Sequence, residues 1–185
     1  MKPAREGILV GLKGYRGFPG GFKAYRKAFP TVELSWWHRV GDLRTISRLR
    51  ALAPEGFRFS VVGHKHLTFC PTGEERRTLR RFLRRFRRFG DKAGAVRLLV
   101  PEVAPEAFAA WLDLLEEVLK EVGPVPLAFQ APGDLKPLLR SRGHVLVNEG
   151  GGPFLYLVDP AEVPEGEGYL YRSHPSQEEA SALHS

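Results

Sequence analysis

Sulfur is nearly absent from this chain. Its 185 residues hold one cysteine, Cys70, and one methionine. A lone cysteine excludes an internal disulfide framework and suits a reducing compartment, so the cytoplasm is the expected location. Asparagine and glutamine are also scarce, and arginine outnumbers lysine. That mix suggests a thermophilic composition, although arginine preference is not a general marker of one. No apolar run approaches the ~18 residues of a membrane helix, and no signal-peptide pattern opens the chain, so no membrane partner is expected. Acidic residues fall short of basic ones, 21 against 28, which leaves a formal charge of +7. Such a balance permits binding of nucleic acid or another polyanion through phosphate contacts.

What remains is an ordinary globular composition, 43% hydrophobic and 26% charged. The length fits one domain with a full core, here residues 1–175, followed by a polar tail at 176–185. Strands and helices alternate. Gly7–Leu12 reads as a short apolar strand, followed by a glycine-rich turn and a helix carrying Phe22, Tyr25 and Phe29 on one side. The glycines of that turn do not form the G-x-G-x-x-G of a dinucleotide site. Thr31–Ser35 alternates as a second strand, and Asp42 caps a helix that Pro54-Glu55-Gly56 stops. In the third strand, Phe57, Phe59 and Val61 are expected to point inward, with Arg58 and Ser60 opposite. Ala95–Val100, Pro124–Gln130 and His144–Val147 continue the series, and Phe154–Val158 and Tyr169–Arg172 are two further strand candidates. Alternation of this kind implies a parallel sheet with crossover helices, here of six to eight strands.

The helix before the fourth strand is unusually basic. Leu79, Phe82, Leu83, Phe86 and Phe89 recur at core-docking spacing, while arginines fill most of the other positions. A solvated arginine face explains the pattern, since phenylalanines buried this way cannot stack on bases. The other reading is a polyanion-binding face, with Arg77, Arg80, Arg81, Arg84, Arg87 and Arg88 as the nucleic-acid contacts.

TVELSWWHRV over Thr31–Val40 resembles the second-strand signature T-V-E-I-N-S-T-F-Y-R of the YecE-like family, domain of unknown function 72. ILVGLKGYRGF resembles that family's opening strand and turn, PEGFRFSVV its third strand, and FGDKAGAVRLLVP its approach to the fourth. Arg172 and His174 match an R-x-H strand end. The resemblance implies an α/β fold, a TIM-type (β/α) barrel. A full barrel of eight units takes ~250 residues, so this one is expected to be shortened, and incomplete or open at its C-terminal end. An open barrel would expose strand edges and invite a homo-oligomer.

Sites in such barrels form at the C-terminal ends of the strands. Under this implied fold Glu33 and His174 become the candidate catalytic pair, Glu33 as general base or metal ligand and His174 as acid or ligand. Lys13, Tyr15, Arg16, Trp36, His38, Arg39, Lys65 and Arg172 become candidate anion contacts, with Arg172 as the clamp. His64 and His66 would share a face if the backbone stays extended, which admits a divalent metal; no cofactor is required by the sequence. The fourth strand lacks the family's glutamine, and the fifth replaces its E-F-R with Ala128-Phe129-Gln130, so Trp36, Trp37 and His38 lose the charged neighbours on strands three to five that the resemblance implies, while Glu33, Arg172 and His174 remain. Three functions stay open. One is hydrolysis or transfer at a phosphate-containing substrate in an anion-receptive mouth, the second is non-enzymatic nucleic-acid binding by the Arg76–Arg88 face, and the third is a degenerate barrel acting as an interaction module.

Overall fold

The computed structural model describes residues 7–35, 42–63 and 75–174. Eight parallel strands form one sheet: β1 (Ile8–Lys13), β2 (Thr31–Leu34), β3 (Arg58–Gly63), β4 (Ala93–Leu99), β5 (Leu127–Gln130), β6 (Val145–Leu146), β7 (Leu155–Val158) and β8 (Gly168–Arg172). Their order is β6-β5-β4-β3-β2-β1-β8-β7, so consecutive strands follow one another around a barrel. Outside it lie α1 (Gly21–Ala28), α2 (Leu43–Leu52), α3 (Glu75–Phe86), α4 (Pro105–Val122) and α5 (Lys136–Ser141). A 3-10 turn, Arg87–Lys92, extends α3 through Gly90, whose φ of 62° breaks the helical path. The barrel is nearly closed, and its one unsealed seam lies between β6 and β7.

Local chemistry explains the helices. Asp42 caps α2 by accepting the Arg44 N–H at 3.1 Å. The stripe Leu79, Phe82, Leu83 and Phe86 of α3 is buried throughout. The last two connections, 147–154 and 159–167, are rich in glycine, proline and glutamate and form no helix, which is how eight strands fit in so short a chain.

The main apolar layer lies between strands and helices, not in the lumen. Val32, Leu34, Val96 and Leu98 face outward onto Phe82, Phe86, Phe108 and Leu115. Phe57, Phe59 and Val61 join them, with Phe59 stacked on Phe89 at 4.6 Å. The expected inward facing of these three is therefore corrected: helices are the larger apolar surface available, so the apolar side of β3 turns to them and Ser60 turns into the lumen.

Tyr25 of α1 stitches β1 to β2. Its hydroxyl accepts the Leu12 N–H at 2.8 Å and donates to the Thr31 carbonyl at 2.6 Å. The strands come close enough there that a Cβ on Gly11 would lie 2.0 Å from the Thr31 oxygen.

The seam is tied at its upper end by Asn148, the only asparagine of the chain. Its backbone N–H donates to the Tyr156 carbonyl at 2.9 Å. Its side-chain oxygen accepts the Val158 N–H at 2.8 Å, and its amide donates to the Val158 carbonyl at 3.0 Å. The side chain thus stands in for a strand, and asparagine also tolerates the φ of 65° found there. Asn148→Ala is expected to cost about 2 kcal/mol and Asn148→Gly about 1 kcal/mol, the glycine relieving the backbone but not replacing the bonds. Urea denaturation reads both; an unchanged midpoint in the alanine variant would show that the seam holds without this residue.

Candidate functional site

The lumen is polar because inward positions alternate with the outward apolar ones. β7 and β8 send in Tyr156, Tyr169 and Tyr171, with ring centroids 5.4 Å apart for Tyr156 and Tyr171. Ser60, Ala95 and Ala128 on β3, β4 and β5 leave the volume for them. In the lower layer, Tyr171 Oη lies 2.7 Å from both Thr31 Oγ1 and Ser60 Oγ, and Ser60 Oγ accepts the Ala95 N–H at 3.1 Å.

The upper layer holds the charge. Arg97 donates Nε to Glu33 Oε2 at 2.9 Å and Nη2 to Oε1 at 2.7 Å. Its Nη1 donates to Gln130 Oε1 at 2.7 Å. Tyr156 donates its hydroxyl to Glu33 Oε2. Glu33 is fully buried, so these donors take the place of the water its carboxylate would otherwise hold. Burial, joined by the Glu33 charge, raises Tyr156 well above the ordinary phenol range, which keeps it a donor. Burial acts to lower Arg97, but the bonds and charge of Glu33 outweigh it and the net shift is upward.

A second charged group lies at the rim. Lys13 Nζ meets Asp159 Oδ2 at 2.7 Å, and Ser173 donates its N–H and hydroxyl to the same carboxylate at 2.8 and 2.7 Å. Lys13 and Ser173 together hold Asp159 down at about 2. His174 Nε2 donates to the Gly14 carbonyl at 2.8 Å, which sets its tautomer if neutral.

The structure brings Glu33, Lys13 and His174 to the same end of β1, β2 and β8, with Lys13 and Glu33 as register partners. Lys13 nonetheless pairs with Asp159, because Arg97 and Tyr156 already hold Glu33. Tyr15 packs edge-on against Phe22 at 5.1 Å, and Arg16 is exposed in the turn. Arg172 is exposed and alternates with the inward Tyr171, so its strand position falls on the outer face. Trp36, His38, Arg39, His64, Lys65, His66 and Cys70 lie outside the described residues, as does the tail at 176–185. Among the described residues, no group of three or more His, Cys, Asp or Glu stands ready to hold a metal ion, and no described helix is long and apolar enough to cross a membrane.

Arg97 of β4 is the charged partner of Glu33, and no motif in the sequence singled it out. Tyr156 and Asp159 also went unread. The signal for Arg97 was present: a single cation interrupting the apolar run Ala93–Leu99, with the parity of an inward position.

Arg76 meets Glu117 and Glu121 of α4, and Arg80 Nε meets Glu121 at 2.9 Å. The guanidinium of Arg87 lies against Gly123, after α4. Arg77, Arg81, Arg84 and Arg88 pair with no described carboxylate. They line a trough of about 350 Å³ beside Leu43 of α2, and Leu43 and Arg88 also border a second cavity of about 780 Å³ lined by Arg50, Lys92, Glu55 and Asp91.

An eight-stranded parallel α/β barrel with a polar, ion-paired lumen is the class that this geometry defines. The family model for the protein of unknown function DUF72 matches residues 16–131, and the chain belongs to that family. Two crystal structures of a DUF72 family protein from Enterococcus faecalis are similar in fold. One, at 3.10 Å resolution, has a TM-score of 0.65 and 16% identity over 92% of this chain and 71% of that one. The other, at 2.52 Å, has a TM-score of 0.60 and 16% identity over 95% and 82%. No functionally curated protein matches.

Glu33→Gln leaves Arg97 buried without a counter-charge and is expected to cost about 3–5 kcal/mol, with part recovered on adding Arg97→Met. Guanidinium denaturation of the single and double variants checks this. For Asp159 the folded value lies below the ~3.9 of the unfolded chain, so its contribution is present above that pH and is lost as pH falls through about 2. Asp159→Asn is expected to remove that part of the acid limb, read as the difference between the two proteins' melting temperatures from pH 5 to pH 2.

Proposed function

We propose that this protein binds nucleic acid through the outer face formed by α2 and α3. One observation carries the reading: Arg77, Arg81, Arg84 and Arg88 line a trough without a described acidic partner. Two cations of the barrel mouth are different. Arg97 is paired with Glu33 and Lys13 with Asp159, so that part of the mouth is close to neutral. An anion approaching the protein meets unbalanced charge on α3. The trough is also preorganised. Lys92 Nζ donates to the Arg50 and Ala53 carbonyls at 2.8 and 2.7 Å, closing the end of α2, and Arg50 Nη1 reaches the Arg88 carbonyl at 3.2 Å. Binding through this face needs no cofactor, and nucleic acid is available in the expected cytoplasmic setting.

A second reading places a phosphate-containing substrate in the mouth, for hydrolysis or transfer. Arg97 supports it: of its five N–H donors three are engaged by Glu33 and Gln130, and its side chain keeps 11% of its exposure. In that case Arg97 is the anion contact and Glu33 its positioning residue, both carboxylate oxygens being already bonded. The other ring nitrogen of His174 has no partner among the described residues and would serve proton transfer.

Fluorescence anisotropy with a labelled 20-mer DNA duplex at low salt tests the first reading. Arg81→Glu/Arg84→Glu is expected to weaken binding by about tenfold or more, while Lys23→Glu/Lys27→Glu on α1, the same change in net charge, leaves it near wild type. Equal losses in the two variants, or no binding by the wild type, would overturn it.

A further inference from the structure

We infer that the α2–α3 trough takes double-stranded nucleic acid by its sugar–phosphate backbone and reads no bases; this rests on the function proposed above and names its ligand class. The setting of α3 supplies the first argument. A helix reads base edges by entering the major groove, which is ~12 Å wide, and must stand clear of its neighbours to do so. Here α3 is tied to its neighbours. α4 holds one flank through Arg76, Arg80, Glu117 and Glu121, and the 3-10 turn that continues α3 is bound to α2 through Arg50 and Lys92. The arginines therefore meet a phosphate strand lying along the trough, and the base edges stay out of reach.

Aromatic chemistry supplies the second argument. Proteins that grip single strands stack bases on exposed rings, each worth ~1–3 kcal/mol. Phe82, Phe86 and Phe89 are buried to 1% exposure or less, and Leu43, at 40%, is the only large hydrophobic side chain exposed among the described residues. Among the described residues the trough offers no ring on which a base could stack. One exposed leucine among them is also too little apolar surface for a membrane-seated helix.

Charge density supplies the third. From Arg77 to Arg88 the helix and its 3-10 extension run about 17 Å. Over that length a duplex presents about ten phosphate charges and one strand about five, and each neutralised phosphate contributes a salt slope of ~0.9 on a duplex against ~0.7 on a single strand. Glu117 and Glu121 of α4 bound the surface on one side, and Glu55 and Asp91 bound it near the end of α2, so the duplex axis lies over Arg77, Arg81 and Arg84.

The test compares the full chain's affinity for a DNA duplex, an RNA duplex of the same sequence, either DNA strand alone and vesicles rich in anionic lipid, each across a salt series. The expected result is tighter binding to a duplex than to either strand. The slope of log K against log salt should be near −4 for four phosphate contacts and should fall by about 2 in Arg81→Ala/Arg84→Ala. Duplexes rich in A·T and in G·C should differ by less than about fivefold, the effect of one mismatched contact in a sequence reader. Preference for DNA or for RNA duplex then identifies the source of the backbone. Tighter binding to single strands or to vesicles, or a larger dependence on sequence, would overturn the duplex assignment while leaving polyanion binding intact. Failure to bind any nucleic acid would instead overturn the function on which it rests.

Discussion

The bidentate contact between Glu33 and Arg97 is the constraint around which the barrel is arranged. It joins β2 to β4 across β3, Gln130 extends it to β5, and Tyr156 brings in β7 from the far side of the lumen. A carboxylate with no solvent exposure is tolerated only when donors replace its water, and three N–H or O–H groups do so here. The cost of desolvating the pair is offset only in this geometry. The contact therefore selects one register for four strands, since a slip of one residue would send Glu33 or Arg97 into the apolar outer layer.

That polar centre governs what else the lumen can hold. Three tyrosines from β7 and β8 fill it; the Tyr156 hydroxyl reaches Glu33, and that of Tyr171 reaches Thr31 and Ser60. Their size requires small residues opposite, which Ser60, Ala95 and Ala128 supply. With one half of the barrel rich in large side chains and the other in small ones, the cylinder closes around a filled interior without helices on its last two connections. Closure at the remaining seam falls to Asn148, whose side chain supplies the two bonds that a neighbouring strand would have made to Val158.

Much of this was legible from the chain. The alternation of strands and helices, the Asp42 cap, the buried stripe of α3 and the inward parity of Glu33 all follow from local rules, and the order of the motifs pointed to the barrel. Facing was harder. Phe57, Phe59 and Val61 share a face on period-two grounds, but period alone does not say whether that face meets a lumen or a helix layer. Arg97 was hidden for the same reason: in a strand buried on both sides a cation looks like an interruption until its partner is known. Glu33 lies 64 residues away, and no local pattern connects them. The arginines of α3 could be read as exposed, yet the sequence could not say which are neutralised by α4 and which face α2, since that depends on how the helices sit around the sheet.

This division between inside and outside bears on function. A barrel with a neutral, internally satisfied lumen leaves little net charge at the described part of its mouth, even though the chain carries a formal +7. The excess has to appear elsewhere, and on α3 only the flank facing α4 is balanced by carboxylates. Alternating charges around that helix would have solubilised it equally well without the like-charge repulsion of neighbouring arginines, ~0.2–0.5 kcal/mol per i,i+4 pair. Arg77 with Arg81, and Arg84 with Arg88, stand at that spacing on the unbalanced flank. The apolar stripe of α3 fully accounts for its docking on the barrel; it does not account for a row of like charges on the opposite side. The polyanion proposed above would, because it would turn the repulsion into attraction at the moment of binding.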